Sequence, residues 1–180
     1  MAITPPEQRV WWNEPVEKTE VLWVTIALVW ALVMFFMMPY WHFSGQQNLS
    51  TEAYKVKPDA YVAKVEEAAE KHKVREEGTT GIPVVRPPVG GDAYMLGRQF
   101  QWWPVLELKK GATYRLHLSS ADVQHGWSLL PENINIQVHP EYEMILKVTP
   151  TRSGEYGILC NEYCGGGHHI MTGKLYVTDN

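Results

Sequence analysis

The sequence predicts an all-β sandwich or Greek-key barrel carried behind a single membrane-spanning helix. Three observations point there. An uncharged run of 18 residues, 21–38, lies near the start of the chain. From residue 92 onward the texture changes to short apolar runs separated by turn signals, the pattern of many short strands. A chain of 180 residues has room for one sizeable core and an appendage, but not for two full domains.

Residues 1–20 form a polar lead with Pro5-Pro6 and with Trp11-Trp12, a pair suited to a membrane interface. The lead carries four acids against two bases, and no small-x-small site follows the apolar run. A cleaved signal peptide needs a basic start and such a site, so the run reads as a retained anchor. At 1.5 Å per residue it spans about 27 Å, close to the roughly 30 Å of bilayer hydrocarbon. Thr25 is its only polar member, and Pro39-Tyr40-Trp41-His42 supplies an aromatic edge. The expected helix runs from about residue 20 to about 40, and the lead and anchor together occupy 1–43. Neither flank has a strong Lys/Arg excess, so charge sets no orientation.

Residues 44–91 read as a linker holding one helix. Within it 44–57 is polar and irregular. Over 58–77, Tyr61, Val62, Val65, Ala69 and His72 recur at three- and four-residue steps and Gly78 follows, which predicts an amphipathic helix packed on a neighbour. The segment 78–91, GTTGIPVVRPPVGG, cannot continue a helix and reads as a linker or edge wrap. The β-domain occupies 92–180. Strands are expected over 94–108, 113–119, 134–138, 142–148, 154–160 and 174–178; TYRLHLS and YEMILKV alternate with period two. Sixteen basic and 20 acidic residues, net charge −4, are spread without blocks, which argues against a nucleic-acid partner.

The chemistry concentrates in one stretch, CNEYCGGGHHIM, residues 160–171. It holds the chain's two cysteines, Cys160 and Cys164, with His168, His169 and Met171. Two cysteines in an exported domain could close a disulfide, and a methionine among strands is usually core. A glycine-rich loop can also bring both sulfurs to one side. Thiolate, imidazole and thioether together are the set soft copper prefers, whereas zinc would leave Met171 without a strong role. Cupredoxin-type copper sites draw three ligands from the loop before the last strand and one histidine from upstream. His125, 35 residues before Cys160, supplies such a histidine.

Cys-x-Glu-x-Cys-x-x-x-His-x-x-Met, preceded by Asp-Val-x-His, closely resembles the binuclear copper (CuA) domain of subunit II of haem-copper cytochrome c oxidases. The resemblance covers the anchor and about residues 80–180, and the second cysteine separates it from mononuclear blue copper proteins. It implies a cupredoxin-like fold for 92–180, with Cys160 and Cys164 bridging two copper ions. His125 and Met171 would complete one copper; His168 and the backbone carbonyl of Glu162 would complete the other. The Glu162 side chain would help hold a magnesium ion at the interface with the partner subunit. Asp122 would support the site or adjoin the docking surface. The implied partners are haem-copper oxidase subunit I, cytochrome c or another small redox donor, and membrane lipid. The implied location is the cytoplasmic membrane of a bacterium or archaeon, single-pass, with the copper domain on the outer face. Catalytic acids, bases and nucleophiles are not expected, because dioxygen chemistry belongs to the partner.

Two departures from the family pattern stand out. In the family an aromatic triplet receives the electron at its first, surface member; aligned through Gly97-x-Gln99, that position is Phe100 and the last is Trp102. The electron path could therefore use Trp103 or Trp127 instead. The single anchor is the second departure, since many subunits II have two; one-helix subunits of the b-type branch look closer. Three other readings stay open: the copper subunit of a nitric oxide reductase, a tethered copper carrier or assembly protein, and a structural domain with a Cys160–Cys164 disulfide. Quinol oxidase subunits share the fold but lack these cysteines.

Overall fold

The computed structural model describes residues 15–45 and 51–179. The Pro5-Pro6 and Trp11-Trp12 lead lies outside the described residues. The chain divides into two compact units, Met1–Asn48 and Leu49–Asn180.

The first unit is helix α1, Lys18–Ser44, longer at both ends than the apolar run alone predicts. Glu17 N–H donates to the Glu20 carboxylate at 3.1 Å at its start, and the Thr25 hydroxyl donates to the Val21 carbonyl at 2.6 Å. The one hydroxyl in the run is thus satisfied inside the helix, as hydrocarbon requires. Its apolar side chains are exposed all round, from Leu22 and Trp23 to Phe35 and Phe36. A helix apolar on every face buries itself in lipid or protein. Among the described residues this is the helix long and apolar enough to cross a membrane.

The second unit is a two-sheet sandwich. Its strands are β1 Thr51–Lys55, β2 Lys73–Glu77, β3 Ile82–Val85, β4 Asp92–Arg98, β5 Gln101–Trp103 and β6 Val105–Lys109. They continue as β7 Tyr114–Ser120, β8 His125–Leu130, β9 Ile134–Val138, β10 Tyr142–Val148, β11 Gly154–Cys160 and β12 Thr172–Thr178. Helix α2, Pro58–His72, follows β1. One sheet has the order β1-β10-β7-β4-β5, the other β2-β3-β6-β12-β11-β8-β9. Alternation sets the inner faces: Met95, Leu116, Leu118 and Leu146 of the first sheet share one core with Leu106, Trp127, Ile158 and Leu175 of the second. The other face of β4 carries Tyr94 and Leu96, which α2 covers with Tyr61 and Val65. The Tyr61 hydroxyl donates to the Met95 carbonyl at 3.0 Å, which satisfies a fully buried phenol.

Three expectations change. The stretch read as linker is built into the sandwich: β1 pairs antiparallel with β10, and β2 and β3 extend the second sheet. The helix expected to reach residue 77 stops at His72, and the next five residues, Lys73–Glu77, form β2. Long-range pairing outweighs helix propensity there. Arg75 on β2 and Arg86 both bond the buried carboxylate of Glu107, and Tyr176 donates to Glu77 at 2.7 Å. The single expected strand 94–108 is three strands, because β4 turns back on β5 with Leu96 opposite Trp103.

Glu107 is 2% exposed. Burial pushes its carboxyl up, but the hydrogen bonds and charges of Arg75 and Arg86 outweigh that and hold it below the usual carboxylate range. A carboxyl lowered in the folded state stabilises above its unfolded value, near pH 4.3, and the gain fades as pH falls through the folded value. Glu107→Gln should cost about 1.5–3 kcal/mol at neutral pH, the worth of hydrogen bonds to charged groups. Denaturant melts from pH 6 down to about pH 3 should show wild-type stability converging on that of the variant.

Candidate metal centre

Strand pairing assembles the site. β11 and β12 pair from Gly154 opposite Val177 to Leu159 opposite Thr172, so residues 160–171 form the loop that joins them. The Cys160 N–H donates to the Met171 carbonyl at 3.1 Å and closes the neck of that loop. On its other side β11 pairs with β8, placing Cys160 opposite Trp127, two residues beyond His125. His125, which opens β8, therefore arrives beside the neck from a distant part of the chain.

Around that neck the donor atoms converge. The Cys160 and Cys164 sulfurs are 3.7 Å apart, far beyond the S–S bond of about 2.05 Å, and both are free and buried. His125 Nδ1 is 3.8 Å from the Cys160 sulfur, and the Glu162 carbonyl oxygen is 3.2 Å from it. His168 Nδ1 is 3.8 Å and Met171 Sδ 3.7 Å from the Cys164 sulfur. His125, Cys160 and Cys164 form a compact cluster, with donor atoms within 4.8 Å of one another. His169 is exposed.

Supporting groups orient these donors. Asp122 Oδ1 lies 2.8 Å from His125 Nε2, which leaves Nδ1 facing the sulfurs. Burial pushes the Asp122 carboxyl up, but the N–H of Gln99, the His125 ring and the N–H of Val123 together hold it below the usual range. Burial, then the adjacent Cys160 sulfur, pushes the Cys164 thiol up to about 11. A cation binding there displaces the proton and takes the thiolate. Two soft sulfur donors, a thioether and an oriented imidazole fit a thiophilic metal, which must displace the tightly held Cys164 proton.

The aromatic candidates separate by exposure. Trp102 and Trp127 are 2% and 0% exposed, so neither offers a docking face on this domain. Trp102 instead lies edge-on to His125, ring centres 5.7 Å apart. Both indole N–H groups lack a protein partner among the described residues. Phe100 is half-buried, and Trp103, also half-buried, lies under the Arg98 guanidinium at 5.6 Å. Asp122 acts on His125 rather than presenting a free carboxylate.

Sequence reasoning missed several neighbours. Tyr163 and Ile170, 80% and 64% exposed, give the ligand loop an apolar outer rim. Gly126 has the Asn161 side chain against it, and a Cβ there would also stand 2.9 Å from Glu162 N and Cγ. The glycine beside His125 was the available signal, since glycine marks a close approach.

No protein-family model matches the chain. A curated relative, "Cytochrome c oxidase subunit 2" of Thermus thermophilus, is 30% identical over 162 residues, covering 87% of this chain and 90% of the relative. The chain belongs to the cytochrome c oxidase subunit 2 family. As a member it is an electron-transfer subunit and not the catalytic one. A second Thermus thermophilus protein of that name is 36% identical over 111 residues, 59% of this chain and 82% of its own. Among solved structures, a chain of a heme-copper terminal oxidase dimer superposes with TM-score 0.58 at 20% identity, covering 89% of this chain and 100% of that one. A rusticyanin variant superposes with TM-score 0.50 at 16% identity, covering 71% and 98%. These likenesses bear on the fold, a cupredoxin-like sandwich behind one long apolar helix.

Gly126→Ala should push the Asn161–Glu162 segment off β8. The expected result is a loss of about 1–3 kcal/mol in denaturant melts, as for other overpacked sites. Metal analysis after dialysis against a copper buffer should show lowered retention alongside it.

Proposed function

We propose that Cys160, Cys164, His125, His168, Met171 and the Glu162 carbonyl hold a binuclear copper centre, CuA. Through it the chain would pass electrons singly from cytochrome c, or another small redox donor, to haem in a haem-copper oxidase subunit I. The observation that carries this is the unbonded pair of buried sulfurs 3.7 Å apart, flanked by two imidazoles, a thioether and a carbonyl. Two thiolates at that spacing can each touch two metals, and the four further donors suffice to complete both. A copper pair held there would share one electron over two ions, so each changes by a fraction of a charge.

The chain's own residues supply the rest. Asp122 fixes the His125 ring, and the neck bond between Cys160 and Met171 fixes the first and last ligands against each other. Trp102, edge-on to His125, and Trp127, opposite Cys160 on β8, are both buried beside the ligand strands. A rigid, dry ligand set moves little when charge changes, the condition for fast electron transfer. Phe100, half-buried over the ligand loop, is the aromatic we place on the inward electron path. Glu162, whose carboxylate accepts from Gln137 Nε2 at 3.0 Å, is the group we assign to a magnesium ion facing subunit I. Helix α1 would cross the cytoplasmic membrane of a bacterium or archaeon once, within lipid, with the copper domain on the outer face. The relatives named as cytochrome c oxidase subunits favour this reading over a nitric oxide reductase. A carrier would instead hold its ligands exposed, whereas Cys160, Cys164, His125 and Met171 are all buried.

Copper titration of the full-length chain in detergent should end at two ions per chain, with a seven-line hyperfine pattern in electron paramagnetic resonance. Cys164→Ser should abolish that pattern; a four-line spectrum and one copper in the wild type would refute the binuclear reading. Asp122→Asn should keep the spectrum but release copper to a chelator about 10–100-fold more readily, the usual cost of losing a ligand's supporting carboxylate.

A further inference from the structure

The ligand loop contains three consecutive glycines, Gly165-Gly166-Gly167, between its second cysteine and its histidine. Glycine loses more backbone freedom on ordering than any other residue, so such a loop needs something to hold it. Its own hydrogen bonds are short-range: His168 N–H to Gly165 O, Ile170 N–H to Gly167 O and Met171 N–H to His168 O, at 3.0–3.2 Å. Among the described residues, the hydrogen bond that reaches the backbone of 163–167 from another segment comes from Gln99, whose Nε2 donates to the Cys164 carbonyl at 2.5 Å.

Gln99 lies at the tip between β4 and β5, where Arg98 bonds the Gln101 side chain at 2.7 and 3.0 Å. Its backbone N–H donates to Asp122 Oδ2 at 2.7 Å, and the other oxygen of that carboxylate takes His125 Nε2. One residue therefore touches the support of an imidazole ligand and the backbone of a thiolate ligand, on segments 23 and 65 residues away. Phe100, next in the chain, lies on the same loop. A Cβ on Gly167 would overlap its ring, and one on Gly165 would come within 3.3 Å of the ring and 2.9 Å of Gln99 Nε2. At Gly165 and Gly167, though not at Gly166, the tip leaves no room for a side chain.

We propose that Gln99 is a positioning residue for the metal centre, a latch that fixes the Cys164 peptide and the Asp122–His125 pair against each other, with Phe100 as its cover. Orienting the Cys164 carbonyl orients the Cα–Cβ bond that carries the thiolate. The loop is thus shaped before a metal arrives, which lowers the ordering cost of binding and the movement of ligands on redox change. The copper-dependent consequence rests on the binuclear reading above; the ordering of the loop does not.

The test uses the full-length chain in detergent, with Gln99→Leu, which keeps bulk and loses the amide. In the metal-free state, amide hydrogen exchange over 163–170 should quicken by up to about tenfold, the worth of one hydrogen bond, while the strands keep their protection. After copper loading, the variant should lose copper to a chelator several-fold faster and show a shifted midpoint potential. Gly167→Ala tests the latch from the loop side: its backbone φ of −94° suits alanine, so its effect reports the Phe100 overlap. Added Phe100→Leu should make the pair less damaging than the sum of the singles. Unchanged loop exchange in Gln99→Leu, or exchange raised equally throughout the domain, would overturn the latch. A wild-type chain that takes no copper pair would refute the binuclear reading, while the exchange result would still decide the latch.

Discussion

Two buried sulfurs standing 3.7 Å apart without a bond between them constrain everything around them. Thiols left so close are easily oxidised to a disulfide, and thiolates left so close repel. Only a frame that fixes both backbones independently keeps them apart and available. β11 fixes Cys160 by pairing on both sides, with β8 and β12. The latch at the β4–β5 tip fixes Cys164. The two sheets of the sandwich thus each hold one end of the pair, and their packing around Met95, Leu118, Trp127 and Ile158 sets the separation.

Charge is handled away from that pole. Glu107 is neutralised by Arg75 and Arg86 beside β2 and β3. On the outer face of the other sheet, buried Glu143 meets Lys64 of α2 at 3.2 Å and His117 Nδ1 at 2.5 Å, while His117 Nε2 faces Asp92 at 3.2 Å. Breaking such a pair by removing one member is costly, so these contacts tie α2 and β2 to the sandwich, while β1 is held by its pairing with β10. They explain why residues 51–85 belong to the domain, although their composition reads as a connector.

How far the sequence could be read follows from where each signal lies. Strands β7 and β10 announce themselves by alternation, β9, β11 and β12 by short apolar runs between turns, and the ligand loop by residue types that few other chemistries need together. β1, TEAYK, carries no apolar stripe because it is an edge strand, and its identity depends on β10. β2, KVREE, has the composition of a helix surface and is a strand through its pairing with β3, with Glu107 and Tyr176 bonding its side chains. Gln99 was invisible for a related reason: a polar residue in a turn reads as solvent-facing until the fold brings the Cys164 carbonyl to it. The burial of Trp102 and Trp127 was equally hidden, since an indole does not declare which side of a sheet it occupies.

The ligand loop is pinned at its neck by one strand pair and fills little of the interior beyond Cys160, Cys164 and Met171. The sandwich draws its cohesion from residues that never meet a metal. Scaffold and centre are therefore separable under selection: substitutions in the loop can end metal binding while a sound domain persists on its anchor. A one-residue slip in β11 would turn Cys160 to the opposite face and harm both at once.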